Sequence, residues 1–278
     1  MRTDRLLVKL GKAVAVAAIA LWSLFPIIFI VSSSFKPGRD IFTVPPKLVF
    51  EPTFAHYFNL WNRWPSFFDG LANSMIVTVG ATLLAVAASS LAGFAYSRHR
   101  RGRLLEGSVL LLIGSRLLPP IVVTLPLFPI VNALGLNDTH LVLIILYATF
   151  FVSLGTLLMR TFIDQIPREL DEAAVIDGAS RLTTLRKVIL PLAAPGMLAV
   201  AVFVVVFAWN EFLFAFIFTA TEAKTAPFVI SEMISSVDGV DWGALFAAST
   251  IQLLPVLMFV VLMNRFLVAG LTAGATKG

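Results

Sequence analysis

Apolar residues gather in six long runs, and polar residues gather between them. The runs are Ala13–Val31, Leu71–Tyr96, Leu104–Leu125, Leu141–Met159, Gly196–Ala220 and Gly243–Asn264. A helix needs ~20 mainly apolar residues to cross the hydrocarbon core of a bilayer. Each run therefore predicts a spanning helix, and the chain predicts an all-α polytopic membrane protein with six transmembrane helices. The first run follows Arg2, Arg5, Lys9 and Lys12, as the apolar part of a signal peptide would. Its length exceeds the ~7–15 residues of that apolar part, so it reads as an anchor that stays in the membrane. The spans divide the chain into an anchor and outer loop (1–70), a core (71–264) holding one long loop (160–195), and a tail (265–278).

Composition supports this pattern. Of 278 residues, 58% are hydrophobic and 13% charged, with a mean hydropathy of +0.91. Soluble domains carry about 25% charged residues, so lipid is the solvent for much of this chain. A net charge of +5 could indicate nucleic acid. The basic residues instead cluster at the ends of the apolar runs, where they orient helices, and no nucleic-acid partner is expected. Fifteen of the 21 Lys and Arg residues fall in the N-terminal segment, the second-to-third loop (Arg98, Arg100, Arg101, Arg103), the fourth-to-fifth loop (Arg160, Arg168, Arg181, Arg186, Lys187) and the tail (Arg265, Lys277). The positive-inside rule then places both termini and the 160–195 loop in the cytoplasm. Outside would lie a Pro- and Trp-rich segment, 32–70, and an acidic one, 221–242 (Glu222, Glu232, Asp238, Asp241). The latter reads either as a solvated loop or as a surface for an external partner. With no cysteines, disulfides, thiolate catalysis and Cys-based metal sites are excluded. His56, His99 and His140 form no ligand pair at helical spacing, so no metal site is expected.

The 160–195 loop has its own structural signals. Pro167 suits the first turn of a helix, where its missing N–H is not needed. Glu169, Asp171 and Glu172 follow, placing negative charge at the helix's positive end. Asp177-Gly178 is a stop signal, because glycine takes the left-handed geometry that ends helices. A second helix is predicted from Ala179 or Ser180 to Leu190, ending near Pro191. These residues describe a bent two-helix lever that a partner could grip, or an amphipathic connector lying on the headgroups.

The same loop carries a family resemblance. Glu172-Ala173-Ala174, three residues, Gly178, nine residues, Val188, one residue and Leu190-Pro191 resemble the EAA loop of ABC importer permeases. Val188 stands where the usual pattern has Ile. Asn73-Ser74, Pro119-Pro120 with Pro126, Trp209-Asn210-Glu211-Phe212 and the tail Gly270–Gly278 resemble the carbohydrate-uptake branch, in particular the maltose-type second permease subunit. The resemblance implies the type I importer permease fold in a bacterial cytoplasmic (inner) membrane. It implies a second homologous permease, a pair of ATPase subunits and an external solute-binding protein as partners, beside membrane lipid. It also implies that Glu172, Ala173, Ala174, Asp177, Gly178, Ala179, Leu190 and Pro191 form the coupling site on the ATPase. No cofactor is expected in this chain, ATP and Mg belonging to the partner. The implied substrate is a sugar, oligosaccharide, polyol or related solute, with a non-carbohydrate solute as the alternative.

Two groups are unusual at membrane depth. Arg116 lies 12 residues past Leu104, ~18 Å along a helix, just before Pro119-Pro120. It reads as a residue of the translocation path or its gate, or as half of a structural ion pair. Trp209, Asn210 and Glu211 sit among Phe207, Phe212, Phe214 and Phe216. Aromatic faces beside a few polar groups suit a sugar ring; an interface anchor explains them equally. There is no Gly-x-x-x-x-Gly-Lys-[Ser/Thr] loop for ATP phosphates and no nucleophile–base arrangement, so the chain itself is not read as an enzyme. An ion-coupled transporter would place several acidic or His residues deep in its spans; only Glu211 qualifies.

Overall fold

The computed structural model describes residues 2–99, 103–237 and 239–275; for 2–8, 103–106 and 264–275 the description extends to the backbone alone. Arg100 and Arg101 of the basic loop, Asp238 of the acidic loop and the last three tail residues lie outside the described residues. The described residues form helices and no strands. In order these are α1 (Arg2–Ser34), α2 (Ala55–Arg63), α3 (Pro65–Arg98), α4 (Arg103–Ser115), α5 (Pro120–Ala133), α6 (His140–Ile163), α7 (Glu169–Ile176), α8 (Arg181–Thr184), α9 (Leu190–Leu192), α10 (Ala194–Trp209), α11 (Leu213–Phe218), α12 (Ala226–Ile234) and α13 (Trp242–Ala275).

Four helical segments are long and apolar enough to cross a membrane: Lys9–Ser34, Pro65–Arg98, His140–Ile163 and Trp242–Met263. Two bent pairs bring the number to six if each is one span. They are Gly107–Ser115 with Pro120–Ala133, bent by 94°, and Arg181–Leu192 with Ala194–Trp209, bent by 77°. The structure refines the spans expected at 104–125 and 196–220: the 94° bend falls inside the first, and the 77° bend falls at Ala193, just before the second, which has a further break of its own. The first breaks at Arg116–Pro119, because a residue before proline is pushed out of helical geometry: Pro119 sits at φ −57°, ψ 135° and Pro120 opens α5. The second breaks at Asn210–Phe212, where α10 ends and α11 starts anew. Hydropathy averages over such breaks, since both sides are equally apolar.

The chain divides into two compact units, Met1–Phe68 with Ile230–Leu254 and Asp69–Val229 with Pro255–Gly278. In the first, Phe29 meets Phe246 edge to face at 5.9 Å and Phe42 meets Trp242 at 5.1 Å. Most of α1 faces outward, with Trp22 84% exposed, as a lipid-facing or subunit-facing helix must. In the second, α3, α6 and α10 enclose a core of Val77, Ala81, Ala85, Leu143, Tyr147, Phe151, Met159, Val200 and Val204. Small residues let the backbones approach. A Cβ on Gly155 would collide with Ser89, and one on Gly93 would come within 2.6 Å of Met159 Cβ.

Candidate coupling element and membrane-interior site

The segment between α6 and α10 folds as a lever with a glycine corner. Glu169, Asp171 and Glu172 occupy the first turn of α7. At its end the Gly178 N–H donates to the Val175 carbonyl at 3.0 Å, and the Ala179 N–H to the Ala174 carbonyl at 2.9 Å. This pair of bonds is a Schellman motif, and it needs the left-handed residue that Gly178 supplies at φ +80°. Ser180 then caps α8, its Oγ accepting from the Thr183 N–H at 3.3 Å. A wide π turn, Leu185–Ile189, follows and leads into α9. Pro191 has no N–H for the Lys187 carbonyl, and the wider turn relieves the clash its ring would cause.

Burial divides the lever. Leu185 and Ile189 are buried in the core, whereas α7 buries no residue. Val175 and Ile176 are 61% and 85% exposed, and nothing lies within 4 Å of a Cβ built on Gly178. Glu172, Ala173, Asp177, Gly178 and Pro191 are exposed, and Ala174, Ala179 and Leu190 are half-buried. The corner thus presents small and apolar groups outward. Beneath α7 is a groove of 680 Å³ lined by Phe94, Arg98, His99, Asp171 and Glu172, among others.

The residues expected at membrane depth fall into two linked groups. Arg116, in the break between α4 and α5, donates from Nη1 to the Phe150 carbonyl at 2.9 Å. Its guanidinium lies 4.5 Å from the Phe150 ring centre, with Phe151 and Phe203 at 5.9 and 6.0 Å. Aromatic faces attract a cation in this way. Among the described residues no carboxylate pairs with Arg116, so the ion pair considered from sequence does not form within the described chain. Glu211 Oε1 accepts from the Phe214 N–H at 3.0 Å and so caps α11. Its carboxylate approaches the buried Tyr147 hydroxyl, although neither Tyr147 Oη nor Glu211 Oε2 reaches hydrogen-bond geometry among the described residues. Phe214 packs tilted against Tyr147 (6.0 Å) and edge to face against Phe150 (5.8 Å), joining the two groups through one aromatic cluster. Asn210 turns back to the Val206 carbonyl at 2.8 Å, and Trp209 is buried.

Residues 85–272 match the family model described as binding-protein-dependent transport system inner membrane component. The chain belongs to this family. The permease is 37% identical over 264 residues to the trehalose transport system permease protein SugB of Mycobacterium tuberculosis, covering 92% of this chain and 93% of that one. It is 36% identical over 266 residues to the trehalose/maltose transport system permease protein MalG of Thermococcus litoralis, covering 93% of each. Its fold matches a crystallised chain of a bacterial ABC transporter involved in import of the acidic polysaccharide alginate, with a TM-score of 0.77 at 24% identity over 95% of this chain and 98% of that one. It is therefore a multi-pass permease subunit of an ABC transporter.

Several tertiary contacts of this permease were invisible in its sequence. Asn73 donates to the Glu222 and Lys224 carbonyls at 2.8 and 2.9 Å and meets His140 Nε2 at 2.7 Å. Ser74 accepts from the Ala226 N–H. The Asn73-Ser74 pair thus fastens α3 to the segment before α12. Asp138, at φ +57°, accepts from the backbone N–H groups of Ala220, Thr221, Glu222 and Ala223. Burial raises its carboxyl pKa, but those donors and the Thr221 hydroxyl outweigh it and hold it well below the usual carboxylate range. The Asn137-Asp138-Thr139 run before α6 is the available signal, since Asp and Asn tolerate the left-handed backbone found there. The aromatic cluster had no signal beyond its Phe content.

Proposed function

We propose that this permease forms half of a membrane pathway for a sugar, oligosaccharide or polyol, driven by an ATPase that grips the exposed corner at 172–179. The observation that carries the reading is the α7 corner: a rigidly capped helix, unburied in its own chain, ending in a glycine with open space around it. A surface of this kind suits insertion into a cleft on another subunit. Lys and Arg placement supports a cytoplasmic location for the corner and both termini. The carbohydrate assignment is supported by the names of relatives, including a trehalose permease, a trehalose/maltose permease and a diacetylchitobiose uptake permease. The chain lacks a phosphate-binding loop, so ATP and Mg would be bound by the partner, and this subunit performs no chemistry of its own. A second homologous permease would complete the pathway, and an external binding protein would deliver solute. Arg116, Trp209, Asn210 and Glu211 with the adjoining aromatic cluster are the proposed path-lining region.

The test is co-expression with the matching ATPase, partner permease and binding protein, followed by uptake of labelled solutes into proteoliposomes. ATP-dependent accumulation of a saccharide bound by the binding protein is expected. Uptake driven by an ion gradient without the ATPase would overturn the reading. ATP-driven uptake confined to amino acids or phosphate would overturn the carbohydrate assignment.

A further inference from the structure

α7 has a mechanical problem. None of its residues is fully buried, yet a lever must pass force to the spans behind it. Polar ties strengthen that link. Arg98 ends the last turn of α3, where a cation complements the helix dipole. Its Nε lies 2.6 Å from Asp171 Oδ2, with the two side chains only 13% and 20% exposed. Its Nη2 donates to the Ile166 carbonyl at 3.1 Å, and its Nη1 points to the Ile163 carbonyl at 3.4 Å. One planar guanidinium thereby touches α3, the end of α6 and α7 at once. The neighbouring residue repeats the pattern. Ser97 Oγ donates to Asp164 Oδ1 at 2.6 Å, and Arg168 Nη2 donates to the Ser97 carbonyl at 3.1 Å. Each of these bonds links different elements.

We infer that Arg98 and Asp171 are the joint of the permease: positioning residues that make the ends of α3 and α6 follow α7 when it moves. This rests on the reading that an ATPase grips the α7 corner. α3 is a continuous helix of 34 residues, so displacement of its Arg98 end tilts a rod that runs the depth of the membrane. The core contact of α3 with α6 near Gly155 and Ser89 is tight, which makes the two helices move as one body. Asp171 faces the groove side of α7 with Arg98, away from the open space at Gly178. Neutralising it removes the joint and leaves the gripping surface intact. Lysine cannot replace Arg98 fully, because a single ammonium does not reach the Ile163 and Ile166 carbonyls with separate donors while holding its charge beside Asp171.

The experiment reads hydrolysis and uptake together in proteoliposomes of the full complex. For Arg98→Ala and Asp171→Asn, solute moved per ATP hydrolysed falls about tenfold, the size of an ordinary coupling free energy. Co-purification of the ATPase and binding-protein-stimulated hydrolysis stay within about twofold of the unaltered complex, because the exposed corner is unchanged. Asp171→Glu, which keeps the charge, recovers most of the ratio. Hydrolysis and uptake falling in proportion, loss of the ATPase from the complex, or equal behaviour of Asp171→Asn and Asp171→Glu would each overturn the joint. Failure of the unaltered permease to bind or stimulate the ATPase would instead overturn the docking reading.

Discussion

The α7 corner and the Arg116 region are both departures from plain spanning helix, and they are built in opposite ways. The backbone of the corner is shaped by bonds between residues at most five apart, from Ala174 to Ala179 and from Ser180 to Thr184. It stays exposed, and its outward side chains have no partner in the described chain. The Arg116 region is held by residues 34 or more positions away, Phe150, Phe151 and Phe203, and its cation is satisfied by a carbonyl and ring faces. A surface meant for another subunit can be shaped by local rules, because its partner supplies the rest. A polar group at membrane depth cannot, because an unsatisfied charge there is costly and every satisfying group must come from the fold.

This contrast can be broken by substitution. The largest effect is expected at Gly178. A non-glycine residue at its φ costs the fold only ~1–2 kcal/mol, and the surroundings are open. Gly178→Asp should therefore leave the permease in the membrane at normal levels while lowering uptake about 100-fold or more, the scale of an interface hot spot. Normal uptake in that variant would remove the corner from the mechanism.

A smaller loss is expected at Arg116. Arg116→Ala deletes a charge-assisted bond and the stacking on Phe150, and it should slow uptake about tenfold through a looser break between α4 and α5. Arg116→Lys should fall between, since an ammonium stacks less well on rings. Unchanged kinetics and solute choice at equal expression would show that the cation fills space and no more.

Glu211 should give the smallest effect, and a discriminating one. Glu211→Gln keeps an acceptor for the Phe214 N–H, so melting of the detergent-solubilised protein should barely move. Glu211→Ala loses the cap and should cost about 1 kcal/mol. A several-fold rise in the KM of uptake for Glu211→Gln, without a change in melting, would give Glu211 a role toward the solute beyond capping.

Legibility from sequence followed the same division. The helix of α7, its stop at Gly178 and the restart near Ser180 were readable because capping and glycine chemistry act over a few residues. The prolines at 119 and 120 marked irregular backbone, but the 94° bend was not foreseen, since its angle is set by what α4 and α5 pack against. Arg98 was counted only as one orienting charge. Nothing near it in sequence indicates Asp171, which lies 73 positions away and is its ion-pair partner. Glu211 looked like a lone acid in a span; only the interruption at Asn210–Phe212 makes it a helix cap.

The sequence by itself determined that the chain is helical and membrane-embedded, since hydropathy and length are local sums, and it located the corner, since caps are short-range. The tertiary structure alone decided which long-range polar groups meet: Arg98 with Asp171, Arg116 with Phe150, Asp138 with the 220–223 backbone. Those pairings depend on how helices far apart in the chain are brought side by side, and neither residue of a pair carries a mark that names the other.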